Sequence, residues 1–340
     1  MKRSLFLAAV ATLAGTSALA QSSVTIYGRL NTSVERQKDG DTTITALQNN
    51  ASRIGFKGSE DLGGGLKASF LIEHGFNVDT GAASGGAAGF WGRESWVALE
   101  GNFGRVRLGN MGPTAAYFAT ADYISMHNHD TGTSSDAFYL YPGDVRNTIA
   151  YNSPSFSGVT FEAQVGLAES TNPRKTIVLA ANYVGGPLHL GASYVTAPNG
   201  PVALGFTSND KNNELGLRAL YEMGPFTVGA YFIRNKVEDS LGNDATRNAY
   251  RLSGMYTMGV SEFHLNFGSA GAFKSGGTTV VDKATQFTAG YNYNLSKRTK
   301  VFAFYTQVNN KGDNVTGGDY YVSTPGTKFS SLAAGVRHNF

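Results

Sequence analysis

The sequence predicts an all-β protein, a closed antiparallel barrel of about 16 strands that crosses a membrane. Three observations carry this. Short segments alternate between apolar and polar residues. Short Gly-bearing turns follow longer polar connections in regular rhythm. After the first 20 residues no apolar run approaches the ~18 residues of a spanning helix, yet the chain begins with an export signal. A chain that enters lipid without such a helix must close its sheet, because closure alone satisfies every strand's backbone groups there.

The export signal comes first. Lys2 and Arg3 give a positive start, Leu5 to Leu13 an apolar core, and Ala18-Leu19-Ala20 a small-x-small cleavage site. Residues 1–20 therefore read as a secretory signal peptide and 21–340 as one barrel domain. Without Lys2 and Arg3, the 28 basic residues become 26, against 25 acidic ones. Such a near-neutral chain offers no broad basic field for nucleic acid. It has no cysteine, so packing and hydrogen bonding must stabilise it. Its 43 glycines, 17 tyrosines and 21 phenylalanines fit antiparallel β structure.

The first strand sets Val24, Ile26, Gly28, Leu30 and Thr32 against Thr25, Tyr27, Arg29, Asn31 and Ser33. Period 2 gives it two unlike faces. Arg53 to Gly58 alternates likewise, then Glu60 to Gly65 makes a tight turn. Leu66, Ala68, Phe70 and Ile72 oppose Lys67, Ser69, Leu71 and Glu73, and a loose connection follows at 79–89. Trp96 and Val97 precede the turn Gly101 to Gly104, after which Val106 and Leu108 oppose Arg105 and Arg107. Later segments repeat the scheme, with short turns at Gly185-Gly186-Pro187, Met223-Gly224-Pro225, Met258-Gly259-Val260 and Leu295-Ser296-Lys297. A short turn followed by a long one is the up-and-down rhythm of an outer-membrane barrel.

One stretch breaks the rhythm. Residues 110–145 are polar, aromatic-flecked and without period. Structureless connections longer than ~15 residues are uncommon unless functional or disordered. The stretch is expected to fold into the lumen as a long extracellular loop and narrow the passage. The chain ends on Phe340, with His338, Val336, Ala334 and Leu332 at every second position before it, the ending expected of an outer-membrane barrel.

Several motifs together resemble one family. Ser23-Val24-Thr25-Ile26-Tyr27-Gly28, Ser52 to Gly65, Asn102 to Gly109, Tyr151-Asn152-Ser153-Pro154 and Gly335 to Phe340 are similar, in order along the whole chain, to the general porins of Gram-negative outer membranes, β-proteobacterial branch. The resemblance implies a 16-stranded barrel, a homotrimer and a third extracellular loop in the lumen. It implies lipid and lipopolysaccharide as surroundings, and a barrel-assembly machinery that engages the C-terminal strand. It also implies passage of ions and small polar solutes, and loop 79–89 latching over a neighbouring subunit.

In a passive pore the functional residues are the charges that line it. By parity Arg29, Arg53 and Lys57 face the lumen, as does Arg107. Arg93 faces inward if Trp96 points to lipid. Arg146 shares the parity of Thr148 and Asn152. Similar porins carry basic wall residues at positions matching Arg29 or Arg53, Arg93, and one near Arg146. A basic residue is expected at 150, where this chain has Ala150, and whether Arg146 replaces it is open. Asp122, Asp130, Asp136 and Asp144 on the long loop oppose this wall, either lining the lumen or pinning the loop. Glu73 is a further lumen acid.

No metal or cofactor is expected. His127-Asn128-His129-Asp130 lacks a second ligand cluster, and Asp313 to Asp319 lacks the order of a calcium loop. No enzymatic activity is expected, since no G-x-S-x-G elbow is present. The reading is a passive outer-membrane channel for ions and small hydrophilic solutes, weakly to moderately anion-selective. Its alternatives are a substrate-selective channel for an anion or organic acid, a barrel adhesin and a barrel enzyme.

Overall fold

The structure, a computed structural model, describes residues 23–340 except 85–88, 113, 123–131, 144, 170–174, 199, 202–203, 208–209, 240–241, 276 and 313–318. Strand β1 spans Ser23–Asp39 and β2 runs through Thr42–Asn49 and Arg53–Gly63. Next come β3 (Leu66–Gly75), β4 (Glu94–Gly101), β5 (Gly104–Asn110), helix α1 (Ala115–Thr120), β6 (Thr148–Asn152), β7 (Val159–Gly166) and β8 (Thr176–Gly185). The second half holds β9 (Leu188–Ala197), β10 (Lys211–Met223), β11 (Phe226–Glu238), β12 (Asp244–Met258), β13 (Ser261–Ala270), β14 (Ala284–Asn294), β15 (Thr299–Asn310) and β16 (Lys328–Asn339). A minor hairpin, Phe273–Ser275 with Thr278–Val281, tops the connection between β13 and β14.

Each strand pairs antiparallel with the next, and β16 pairs with β1 from Arg29↔Asn339 to Asp39↔Phe329. The sheet is thus a closed 16-stranded barrel. Strand β2 counts as one strand because β1 pairs with both its halves across a bulge. Thr32 faces Asn49 and Arg29 faces Arg53, so three residues oppose two. Ala51 takes up the extra residue at φ 55°, and the Ser52 hydroxyl accepts from the Asn31 amide at 3.0 Å. A bulge of this kind re-aims the side chains beyond it.

The barrel is inside-out relative to a soluble core. Ile26, Leu252, Leu265 and Leu332 are each about 60% exposed. Glu35, Gln164, Arg251, Gln286 and Thr288 are buried. Such an arrangement is stable only where the outer solvent is apolar. Rings mark its borders. Phe226 stacks on Tyr256 at 4.8 Å, and Phe263 meets Tyr256 at 6.3 Å and Tyr291 at 5.2 Å. They form a belt beside the short turns. Phe232 and Tyr250, 5.2 Å apart, stand about 20 Å further along the strands, close to the height of an outer-membrane apolar band.

Several of the short turns, at 64–65, 102–103, 186–187, 224–225 and 259–260, are two-residue turns built as the sequence requires. Gly186 and Gly224 sit at φ 56° and 55°, each followed by a proline. Positive φ at the first central position matches the twist of the strands it joins. On the opposite end, β1 and β2 are joined by Gly40-Asp41 alone, so the first connection there is as tight as those on the short side.

Candidate functional site

The inner wall carries its charge unevenly. Lys300 on β15 pairs in register with Arg337 on β16. Arg337 stands opposite Asn31 on β1, and Arg29, two residues earlier, pairs with Arg53 on β2. Four consecutive strands thus present four cations in an oblique ladder across the seam where the barrel closes. Arg93 joins it from the bend before β4 and lies within electrostatic range of Arg29 and Arg53.

The ladder has few counter-charges among the described residues. Glu73 on β3 accepts from the Tyr27 hydroxyl at 2.9 Å and from Arg93 Nε at 2.7 Å, and lies 3.6 Å from Arg53 Nε. Glu262 accepts from Asn292 and Asn294, each at 2.8 Å. Like charges directly opposite on adjacent strands destabilise a sheet, so structural need does not account for the ladder.

Arg107 behaves differently. It is buried, bonds Glu162 on β7, and lies 3.8 Å from Glu94. Its register partner on β6 is Ala150, whose small side chain leaves the path to β7 open. Opposite position 150, where the resemblance puts a basic residue, stands Arg107 of the neighbouring strand. Arg146 does not take that place in the strand. It is exposed, and the parity argument stops at Asn147, whose φ of 52° breaks the run before β6. Lys57 is exposed, with its ammonium 5.2 Å from the Tyr27 ring.

The direction of Trp96, on which parity makes the inward face of Arg93 conditional, is settled by its neighbours. Val97 is 55% exposed on the outer face, whereas Trp96 is half-buried and donates to Glu94 at 2.5 Å. The Arg105 and Arg107 guanidiniums lie 5.7 and 5.6 Å from its ring. Trp96 therefore faces the inside. Arg93 reaches Glu73 because it precedes the strand, where parity no longer holds.

The described parts of segment 110–145 are tied to inner-wall residues. Its ends meet where the Met111 amide donates to Val145 O at 3.1 Å. Helix α1 begins at Thr114, which caps Tyr117 N, and the Ala115 amide donates to Gln164 on β7. The helix lies so close to β9 that a Cβ at Gly191 would collide with Ala119 O. Arg218 on β10 donates to Phe118 O at 2.8 Å. Further on, Thr133 donates to Glu35 on β1 at 2.7 Å.

Asp136 is buried against Arg251 on β12 at 2.9 Å and accepts from the Tyr231 hydroxyl on β11. The Gln286 side chain holds the Ala137 amide at 3.0 Å and Ser135 O at 2.8 Å. Arg247 donates to Phe138 O. Asp136 is thus a pin between loop and wall, and Asp122 accepts from the Tyr117 hydroxyl at 2.6 Å within the segment. Asp130, Asp144 and the His127–Asp130 motif lie outside the described residues, as do residues 1–20. At the other end of the chain Phe340 pairs its backbone with Gly28 at 3.0 and 3.1 Å.

Sequence reasoning passed over Lys300, Arg337, Arg218, Arg247, Arg251 and Glu35. The alternation signal was there for most of them: Lys300 precedes Val301, Arg337 follows Val336, and Arg251 lies between Tyr250 and Leu252. Their grouping was not, because the ladder joins residues 29, 53, 300 and 337 only by barrel closure.

Known proteins resemble the chain over most or all of its length. A family profile described as Gram-negative porin matches residues 7–313. Outer membrane porin protein 32 of Delftia acidovorans is 32% identical over 375 residues, covering 100% of both chains. An outer membrane porin protein of Bordetella pertussis is 26% identical over 410 residues, again covering 100% of both. The solved anion-selective porin from Comamonas acidovorans superposes with a TM-score of 0.74 at 26% identity, over 94% of this chain and 100% of that one. With its closed barrel, its inverted polarity and these relatives, the chain belongs to the Gram-negative porin family and is a multi-pass protein of the outer membrane.

Proposed function

We propose that this protein is a passive, trimeric channel that prefers anions, and that the ladder Lys300–Arg337–Arg29–Arg53 with Arg93 sets that preference. The observation that carries the reading is the register itself: like charges lie opposite each other on adjacent strands, against a stability cost, on the inside of a barrel. In a narrow passage where water is partly excluded, a unit charge at 4 Å interacts with an ion by several kcal/mol rather than ~1. An anion gains from the ladder and a cation loses.

Segment 110–145 narrows the passage in this reading. Its support is the set of anchors on different parts of the wall: β7 and β9–β10 through α1, β1 through Thr133, and β11, β12 and β14 through Asp136, Ala137 and Phe138. Asp136 holds the loop rather than facing the ions. Translocation involves no chemical step, so the protein acts without catalysis. Trimerisation follows from the family resemblance and uses the apolar outer face near the chain ends.

Reversal potential in a planar bilayer under a tenfold KCl gradient tests this. The expected result is a shift toward the chloride equilibrium value, with conductance steps in threes. Arg53→Glu and Lys300→Glu should each lower the chloride-to-potassium permeability ratio by about 3- to 10-fold. A reversal toward potassium, or variants with unchanged ratio, would refute the assignment of the ladder. Saturable block by one organic anion would favour the substrate-selective channel instead.

A further inference from the structure

A cavity of about 450 Å³ opens at the long-connection end of the barrel, between segment 110–145, the start of β10 and the connection before β16. Its size falls in the ~300–1,000 Å³ range of small-molecule sites. Tyr139, Tyr141, Asn212, Asp319, Tyr320 and Tyr321 line it, and none belongs to the basic ladder.

Ring faces dominate the walls. Tyr141 stands edge-on to Tyr139 at 5.0 Å and is stacked with Tyr117 at 5.7 Å. Tyr320 is held by the Phe138 ring at 4.9 Å, and Tyr321 by Phe329 at 5.5 Å. Two of these tyrosines have unusual backbones. Tyr141 lies at φ 48° and Tyr321 at φ 62°, yet their side chains are not hidden, since the residues stay 49% and 39% exposed. A side chain with a Cβ is disfavoured in that region, and such conformations concentrate at ligand clamps.

The polar groups point to the partner's chemistry. Asn212 is 1% exposed and Asp319 9%, and each has a buried side-chain oxygen, Oδ1, without a hydrogen-bond partner among the described residues. The other Asp319 oxygen accepts from the Gly326 amide at 2.6 Å. Buried acceptors are rarely left unpaired, so these two call for donors. The nearby cations do not line the cavity: Arg247 bonds Tyr320, Phe138 O and Asn235, and Arg251 bonds Asp136 and Gln286 while its Nε and Nη1 have no partner among the described residues. At Asn212 and Asp319, which do line it, an anion would find acceptors where it needs donors.

Ring faces that stack on C–H surfaces, beside acceptors that take hydroxyl donors, suit a sugar ring. We propose that this cavity is a saccharide-binding site at the outer mouth of the channel, separate from the anion ladder. A pyranose would lay one face on Tyr141 or Tyr321 and donate hydroxyls to Asn212 Oδ1 and Asp319 Oδ1.

Isothermal titration of glucose, maltose and the open-chain polyol sorbitol into the detergent-solubilised protein tests this without requiring conductance. Saturable binding of glucose or maltose is expected, with sorbitol weaker by about tenfold or more. Tyr321→Ala and Asp319→Asn should each weaken the sugar by about tenfold while KCl conductance and reversal potential stay at wild-type values. Should Tyr321→Ala not assemble, Asp319→Asn decides, because it keeps an acceptor for the Gly326 amide. The proposal is overturned if neither sugar binds saturably, if sorbitol binds equally well, or if assembled variants bind as wild type. Saturable binding of choline in place of the sugars would also overturn it and assign the site to an ammonium. A protein that binds sugar but passes no current would sink the channel reading and leave this one standing.

Discussion

Asp136 shows how one residue holds a loop against a wall. Burial alone raises its carboxyl, but the Arg251 guanidinium, the Tyr231 hydroxyl and the Phe138 amide together hold it below the ordinary carboxylate range. A group whose folded value is depressed contributes fully above its unfolded value, about 3.9 for Asp, and its contribution is lost as pH falls through the folded value. Docking of the segment should therefore be unaffected between pH 8 and 5, and single-channel noise should rise only in stronger acid. Noise rising already near pH 6 would show that another group controls the loop. Asp136→Ala leaves Arg251 buried without its carboxylate, a change that typically costs about 3–5 kcal/mol. Segment 110–145 should then become sensitive to limited proteolysis in the assembled protein. Protease resistance equal to wild type would mean that Gln286 and Arg247 suffice as anchors.

At the scale of the element, the closing seam is the most exacting part of the barrel. Strand β16 pairs with β1 over Arg29 to Asp39, and the last residue adds two backbone bonds to Gly28. The Phe340 ring also occupies the space beside Gly28. A Cβ there would run into that ring and stand only 2.6 Å from Arg53 O. Gly28 is thus small because a ring and a neighbouring backbone crowd it. Deleting Phe340 should slow barrel closure, seen as less heat-resistant protein in the outer membrane at equal synthesis. Gly28→Val should do the same by forcing the ring out. Normal assembly of both variants would show that the terminal ring is dispensable.

Across the whole molecule, the ladder and most of the loop anchors occupy different sectors of the barrel, and β1 carries both Arg29 and Glu35, the acceptor for Thr133. The cations on β15, β16, β1 and β2 have few acids near them among the described residues, while the arginines on β10 and β12 are committed to loop carbonyls and Asp136. Selectivity that rests on the first group must weaken with salt. The screening length falls from ~10 Å at 0.1 M to ~3 Å at 1 M. The chloride-to-potassium ratio should therefore drop steeply between these concentrations. A ratio independent of salt would point to a size filter or a binding site in place of a field.

Alternation along the chain determined the fold class and the place where the rhythm breaks, and it assigned inward faces to Arg29, Arg53, Lys57, Arg107 and Glu73, because a side chain's face in a strand is a local property of period 2. That logic ended where strands ended. Arg146 and Arg93 lie in bends outside β6 and β4, where the period of a strand no longer fixes which way a side chain points. The sequence left the direction of Trp96 open, and its position beside Glu94 on its own strand and Arg105 and Arg107 on the next shows that it faces inward. The tertiary structure alone decided which charges act together. Residues 29 and 337 become neighbours when the first strand pairs with the last, and Asp136 becomes a pin rather than a pore charge when the loop meets β11 and β12. Register across distant strands depends on closure of the whole sheet, and no window of sequence contains it.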